Sequence, residues 1–221
     1  MKNKIIKILK IILKIHLYFL AITSFLVILY NFIPPLTTPM ILYRKAFASY
    51  EVKKHRYIKL KNIPSYTKKM LIVSEDSKYY SHFGFDFDAI QRAFKKNQRS
   101  GKIKSGGSTI TQQAARSIFL TTHRNFFRKY LEAWITLEME VFMSKNRILE
   151  LYFNYVEWGK GVFGIETASQ KYFKKSASLL SREQSKAMIT ILANPIKYNP
   201  KNYSKSKTMR KRYKHINRWV N

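Results

Sequence analysis

The chain has no cysteine among its 221 residues, which excludes a disulfide framework and thiolate chemistry. Acidic residues are also scarce: 12 Asp and Glu stand against 42 Lys and Arg, so the formal net charge is +30. Such a surface favours anionic partners, namely nucleic acid, anionic lipid headgroups or a phosphate-bearing substrate. The chain is also rich in Lys, Asn and Ile, so ordinary solvated surface explains many of these lysines equally well.

Histidines are few and scattered, at positions 16, 55, 82, 123 and 215. None of them recurs at the spacing of metal ligands. The histidines therefore predict no metal site, and we interpret His82 as a hydrogen-bonded residue rather than a ligand.

One long apolar run lies at the N-terminus. Residues 17–33 carry no charge, and in the apolar stretch before them Lys7, Lys10 and Lys14 share one helical face. About 20 apolar residues cross a bilayer. We therefore predict a basic, amphipathic lead over 1–16 and a transmembrane anchor over 17–33.

The lysines that precede this run predict its orientation. Basic residues favour the cytoplasmic side, so we expect a single-pass protein of the cytoplasmic membrane with its remaining residues on the outer, periplasmic face. Nucleic acid is not expected as a partner on that side. A cleaved signal peptide is the alternative, although Pro34-Pro35-Leu36 offers no small-residue cleavage site.

Residues 34–62 are interpreted as a proline-rich exit followed by a basic connector. Helical spacing of apolar residues begins at Pro64 and predicts a first helix that ends near Tyr80, and Asp86 is a candidate N-cap for the next helix. The polar segment 98–107 is predicted to be a mobile loop. Further helices are predicted at about 125–142, 146–156, 164–173, 181–193 and 205–219.

Four of the 12 acidic residues fall in a short segment, at Glu75, Asp76, Asp86 and Asp88. Glu75 and Asp76 lie towards the C-terminal end of the first predicted helix, where the helix dipole disfavours negative charge. A carboxylate kept in such a place is a candidate general base. An ordinary ion pair between Glu75 and a basic residue is the alternative.

A basic constellation follows a glycine-rich turn. Thr109 and Gln112 have the spacing of a capping box, so the preceding 106–107 glycine pair would present backbone N–H groups to an anion, or would simply precede an N-cap. Arg124, Arg128 and Glu132 share one helix face and, with Arg116, could form a phosphate cradle or a solvated salt-bridge ladder. The buried side of that helix is predicted to comprise Phe127, Tyr130, Leu131 and Trp134.

Five ordered segments between about 63 and 200 resemble the signature of the peptidoglycan glycosyltransferases, and 158–200 is most similar to the monofunctional biosynthetic members. These segments are Glu75-Asp76-x-x-Tyr79-x-x-His82-x-Gly84, the stretch 106–113, Arg128-Lys129-x-x-Glu132, Lys145-x-x-Ile148-Leu149-Glu150-x-Tyr152-x-Asn154, and Gly161-x-x-Gly164-x-Glu166 with Tyr172-Phe173. Three positions depart from the pattern: Tyr79 stands where Phe is usual, Arg116 where Lys is usual and Phe153 where Leu is usual.

The resemblance implies a mostly α, lysozyme-like glycosyltransferase domain over 63–221, with a small membrane-facing jaw at about 83–105 and no transpeptidase module. It implies polymerisation of lipid II into β-1,4-linked glycan by an inverting mechanism, with release of polyprenyl pyrophosphate. Glu75 would be the catalytic base and Glu132 would help the pyrophosphate depart. The substrate-binding residues that it implies are Asp76, His82, Gly107, Ser108, Thr109, Gln112, Gln113, Arg116, Arg124, Arg128 and Lys129.

No cofactor is expected with certainty. A divalent cation, Mg²⁺ or Mn²⁺, at the pyrophosphate is left open, with Glu132 either holding it or orienting the basic cluster. The expected partners are lipid II, the growing glycan-lipid, the membrane and other cell-wall synthesis proteins. Two alternatives stay open: a lytic transglycosylase or lysozyme-like wall hydrolase, and a non-catalytic basic module that binds the membrane surface.

Overall fold

The computed structural model describes residues 2–101, 106–121 and 125–220, and the side chains of all of these except residues 2 and 218–220. The fold is mostly helical, as expected. Its helices are α1 Lys2–Phe32, α2 Pro39–Phe47, α3 Ser65–Glu75, α4 Phe87–Ser100, α5 Ile110–Phe119, α6 Phe126–Phe142, α7 Lys145–Tyr155, α8 Ile165–Phe173, α9 Arg182–Ile191 and α10 Lys207–Val220. A short antiparallel pair, β1 Glu157–Gly159 and β2 Val162–Phe163, follows α7.

Helix α5 lies at the centre of the core, where it packs against α6 and α7. Its buried face contains the small residues Ala114 and Ala115 between Ile110 and Ile118, and small side chains let neighbouring helices approach closely. On the other side, α3 packs against α9 and α10. This arrangement brings the C-terminal end of α3 close to α5 and α10.

Two predicted boundaries differ from the structure. Helix α3 ends at Glu75 and not near Tyr80, because Asp76 leaves the helical region with φ −162° and ψ 77°. Helix α4 continues through 98–100, which we had assigned to a mobile loop, and it ends at the left-handed C-cap Gly101 with φ 59°. The rest of that loop lies partly outside the described residues, at 102–105.

The expected buried side of α6 is wrong. Phe127 is 68% exposed and Tyr130 is 46% exposed, whereas Glu132 on the opposite face is 0% exposed. Leu131 and Trp134 are only half-buried. The face that carries Glu132 also carries the buried Ile135 and Met139, and it points into the protein, where the carboxylate has cationic partners. Helix α1 covers part of the aromatic face.

Helices α1 and α6 pack side by side and run in the same direction. Thr23 Oγ1 and Ser24 Oγ both donate to Glu138 Oε1, at 3.0 and 2.9 Å. Further along both helices, Asn31 Nδ2 donates to the Phe142 carbonyl at 2.8 Å. The apolar helix is therefore joined to the domain by specific polar contacts.

Helix α1 is long and apolar enough to cross a membrane from Asn3 to Phe32, with a mean hydropathy of 2.2. At 1.5 Å per residue, its 31 residues extend about 46 Å. The predicted lead and anchor are not separate elements, because one continuous helix runs from Lys2 to Phe32.

The predicted connector at 34–62 is largely part of the folded domain. Helix α2 packs against α5, and a 3₁₀ turn covers Leu60–Asn62. Asn154 of α7 accepts from Ile58 N and donates to Ile58 O, both at 2.9 Å. The segment is therefore attached to the domain near its start, through α2, and near its end, through Ile58.

Candidate active site

Glu75 is the last residue of α3, and its carboxylate is held by two other elements. Gln113 Nε2 of α5 donates to Glu75 Oε2 at 3.2 Å, and Arg212 of α10 forms an ion pair with Oε1. The side chain is 13% exposed. Since each carboxylate oxygen can accept two hydrogen bonds, both oxygens can still accept from an incoming hydroxyl.

The orientation of the Gln113 amide is fixed by its other contacts. Tyr152 donates its hydroxyl to Gln113 Oε1 at 3.1 Å, and Gln113 Nε2 also donates to the Ser108 carbonyl at 3.3 Å. Burial, and then the charge of Glu75, raise the pKa of Tyr152 well above its ordinary value, so Tyr152 stays a neutral donor. The amide nitrogen of Gln113 therefore faces Glu75.

Asp76 and His82 are joined inside the protein. His82 Nε2 lies 2.9 Å from Asp76 Oδ1, and Ile110 N at the start of α5 donates to Asp76 Oδ2 at 2.9 Å. The end of α5 that we expected to bind a substrate anion therefore already binds a carboxylate of the protein itself. This contact couples the end of α3 to the start of α5.

The predicted capping box at the start of α5 is confirmed: Thr109 and Gln112 each bind the backbone N–H of the other. Thr109 Oγ1 also donates to the carbonyl of Gly84 at 2.7 Å. A Cβ on Gly107 would lie 2.8 Å from Ile90 Cα, so α4 can pass this close only because residue 107 is glycine. These motif residues fix α4 and the turn before it against α5.

A cationic cluster surrounds the buried carboxylate of Glu132. Arg128 Nη1 lies 2.5 Å from Glu132 Oε2, Lys129 Nζ contacts Oε1, and Arg116 Nη1 lies 3.8 Å from Oε2. Lys129 Nζ also lies 3.5 Å from Ser108 Oγ. Three of the predicted cations thus converge on one carboxylate, whereas Arg124 lies outside the described residues.

The residues around Glu132 do not fit a metal ion held by the protein. Both carboxylate oxygens bond to cationic side chains, and the described residues contain no group of three or more His, Asp or Glu that could hold a metal. Of the two roles considered for Glu132, its contacts favour orientation of the basic cluster.

Two cavities flank this arrangement. The smaller, of about 150 Å³, lies between Glu75, Asp76 and the turn 106–109. The larger, of about 360 Å³, is lined by Gln113, Arg116 and Arg128 among others. Gln113 bonds to Glu75 and also lines the larger cavity, so this one side chain connects the candidate base to the wall that carries the arginines.

Two residues of this region were missed by the sequence interpretation. Arg212 belongs to the basic run 210–214, where nothing distinguishes it from its neighbours. Arg44 lines the larger cavity from α2, in a segment that we had interpreted as a connector. Neither residue belongs to a recognised motif, so the sequence offered no signal for either.

Comparison with known proteins agrees with this geometry. Residues 43–220 match the family model described as Transglycosylase. A biosynthetic peptidoglycan transglycosylase of Caulobacter vibrioides is 43% identical over 172 residues, which are 78% of this chain and 74% of that protein. One from Pseudomonas putida is 42% identical over 187 residues, 83% of this chain and 79% of that protein. The match extends from the helix that carries Arg44 to the helix that carries Arg212, and the chain belongs to the transglycosylase family.

Proposed function

We propose that this chain polymerises lipid II into β-1,4-linked glycan strands and releases polyprenyl pyrophosphate. One observation carries the proposal: Gln113 bonds to Glu75 and lines the same cavity as Arg116 and Arg128. A base and a cationic wall that share one glutamine suit a reaction in which a hydroxyl attacks and an anionic group leaves. The names of the relatives support peptidoglycan as the product.

In the proposed reaction, Glu75 accepts the proton of the acceptor GlcNAc 4-hydroxyl. The oxygen attacks the anomeric carbon of the donor MurNAc from the face opposite the pyrophosphate, and the bond from that carbon to the pyrophosphate oxygen breaks with its electron pair. The configuration is inverted and a β-1,4 link forms. Arg116, Arg128 and Lys129 neutralise the departing pyrophosphate, and Arg124 is proposed to join them.

Glu132 is proposed to act through this cluster. Because its side chain is fully buried and its two oxygens bond to Arg128 and Lys129, it reaches the substrate only through those cations. A carboxylate in this place keeps mutually repelling side chains together and directs them towards the cleft.

The substrate is proposed to arrive from the membrane that α1 crosses. Helix α4 exposes Phe87, Ile90 and Phe94, which share one face at i, i+3 and i+7. An exposed apolar face suits contact with lipid, which supports the membrane-facing jaw at about 83–105. In this arrangement the lipid-linked substrates enter the cleft sideways from the outer leaflet.

The proposal is tested with the full-length protein in detergent micelles and labelled lipid II, with polymer separated from unreacted substrate. Glu75→Gln should lower the polymerisation rate by about 10²-fold or more, because the amide cannot accept the proton. Glu51→Gln is the matched control, since Glu51 is exposed and pairs with Lys53 at the surface. A Glu75→Gln enzyme that polymerises at the wild-type rate would contradict the assignment, and cleavage of preformed glycan without polymer would favour a hydrolase.

A further inference from the structure

The larger cavity is lined in part by an arginine that lies outside all of the recognised motifs. Arg44 of α2 lines it together with Arg116 of α5 and Arg128 of α6. The three guanidinium groups come from three different helices. Their meeting at one cavity is therefore a property of the tertiary fold and not of one basic segment.

Arg44 is held in place by Glu157 at the start of β1. Its Nη2 and Nε donate to Glu157 Oε2 at 3.1 and 3.3 Å, and its Cζ lies 5.9 Å from the Tyr50 ring centre. The other carboxylate oxygen of Glu157 accepts from Gly161 N at 3.1 Å. A guanidinium has five N–H groups, so these two bonds leave donors for a further acceptor.

The cavity carries an excess of positive charge. Three arginines line it, and Glu157 is the single acidic residue among its described lining residues. Burial raises the pKa of Glu157 above its ordinary value, although Arg44 opposes the shift. Arginines fit phosphate oxygens with two parallel N–H bonds, and an anion in the cavity would offset the repulsion among them.

The position of Arg44 along the chain indicates the direction from which it meets a ligand. Helix α1 ends at Phe32, and α2 begins a few residues later at Pro39. If α1 crosses the membrane, α2 lies next to the bilayer surface, where the phosphates of a lipid-linked substrate are found. Helix α2, which contributes Met40 and Arg44, therefore forms the side of the cavity that is nearest in sequence to the anchor.

We propose that Arg44 is a further substrate-binding residue, which contacts the pyrophosphate of the lipid-linked donor and which Glu157 orients. This inference rests on the proposed function, because it assigns the anion in the cavity to that pyrophosphate. The competing explanation is that Arg44 and Glu157 only fasten α2 to β1.

The test uses the full-length protein in detergent micelles and two probes of equal chain length, a polyprenyl pyrophosphate and the uncharged polyprenol. Arg44→Ala should weaken binding of the pyrophosphate about tenfold through loss of a charge-assisted contact, and should leave polyprenol binding unchanged. Arg44→Lys should recover part of the loss. Lys45→Ala is the control, because Lys45 is an exposed neighbour in α2 that does not line this cavity.

Glu157→Gln separates the two explanations. This substitution keeps an oxygen that can accept from Arg44 and removes only the negative charge beside the anion site, so it should tighten binding of the pyrophosphate if Arg44 contacts it. The opposite result is that Glu157→Gln and Arg44→Ala both lower the melting temperature and weaken binding of the two probes equally. In that case the ion pair only holds α2 against β1, and the inference is overturned.

The two proposals fail in different ways. A wild-type protein that makes no polymer and does not prefer the pyrophosphate over the polyprenol would contradict the proposed function itself. The role of Arg44 alone would be overturned if the wild-type protein makes polymer and prefers the pyrophosphate, but the Arg44→Ala variant binds the pyrophosphate as tightly as the wild type.

Discussion

The carboxylate of Glu75 is held from two sides by residues that are distant from it in sequence. Gln113 approaches from α5 and Arg212 from α10. Arg212 Nε is buried and has no hydrogen-bond partner in the part of the chain that the structure describes. A buried donor without a partner is costly, and the guanidinium that carries it lies against the candidate base.

Arg212 is therefore predicted to be a positioning residue for Glu75. Arg212→Ala should lower kcat for lipid II polymerisation about tenfold and change KM little, because the guanidinium contacts the base and not the cationic cavity. Arg212→Lys should recover part of the rate. Steady-state kinetics of the full-length enzyme would measure both constants.

Arg210→Ala is the control for this variant, since Arg210 is exposed and bonds to the Ser204 carbonyl at 2.5 Å. Circular dichroism would show whether α10 is intact in both variants. An Arg212→Ala enzyme that keeps the wild-type kcat would contradict the positioning role.

For single residues, the sequence predicted the role of Glu75 but not the side chains that hold its carboxylate. Glu75 could be proposed as a base because adjacent carboxylates near a helix C-terminus are unfavourable without a task. Its partner Arg212 could not, because 137 positions separate the two residues and only the packing of α10 against α3 brings them together. Arg44 was missed for the same reason.

Among the helices, α6 shows that hydrophobic periodicity can predict the bounds of a helix without predicting which of its faces is buried. The predicted helix at 125–142 is close to the observed Phe126–Phe142, but the side that is buried was predicted wrongly. Phe127, Tyr130 and Trp134 form an apolar stripe, and a pattern alone assigns that stripe to the core. The residues of α6 that are buried are instead Glu132, Ile135, Thr136, Glu138 and Met139. The actual core face is chosen by partners that the pattern does not contain, namely α1 and the cations around Glu132.

The contact between α4 and the start of α5 gives a prediction with a neighbouring control. Gly107→Ala should place a methyl group 2.8 Å from Ile90 Cα, so α4 must shift; we expect a loss of about 1–3 kcal/mol in the free energy of unfolding and a slower polymerisation. Gly106→Ala should change stability little, because nothing lies within 4 Å of its added Cβ. Thermal unfolding of both variants measures the difference, and equal melting temperatures would contradict the close approach.

For the whole molecule, we infer the placement at the membrane from the charge distribution and from the long apolar helix. The lysines that precede the apolar run favour a cytoplasmic N-terminus, and the domain after Phe32 is proposed to lie on the outer face. Glycan assembly from a lipid-linked precursor outside the cell requires this orientation.

The orientation is tested with a reporter enzyme that is active only after export, fused behind Asn221. It should be active, and protease added to spheroplasts should degrade the domain while roughly the first thirty residues are spared, since a span of about 20 residues is shielded by lipid. A C-terminus that is protected in intact spheroplasts would mean the reverse orientation, and the polymerase proposal would fail with it.

The bonds from Thr23 and Ser24 to Glu138 have a practical consequence for anyone who shortens this protein. A soluble version that starts after α1 removes both hydroxyl donors from a carboxylate whose Oε2 already has no hydrogen-bond partner among the described residues. It also uncovers Tyr130 and Trp134, against which His16 packs. Such a truncation alters the surface of α6 itself, so its activity would not report that of the intact enzyme.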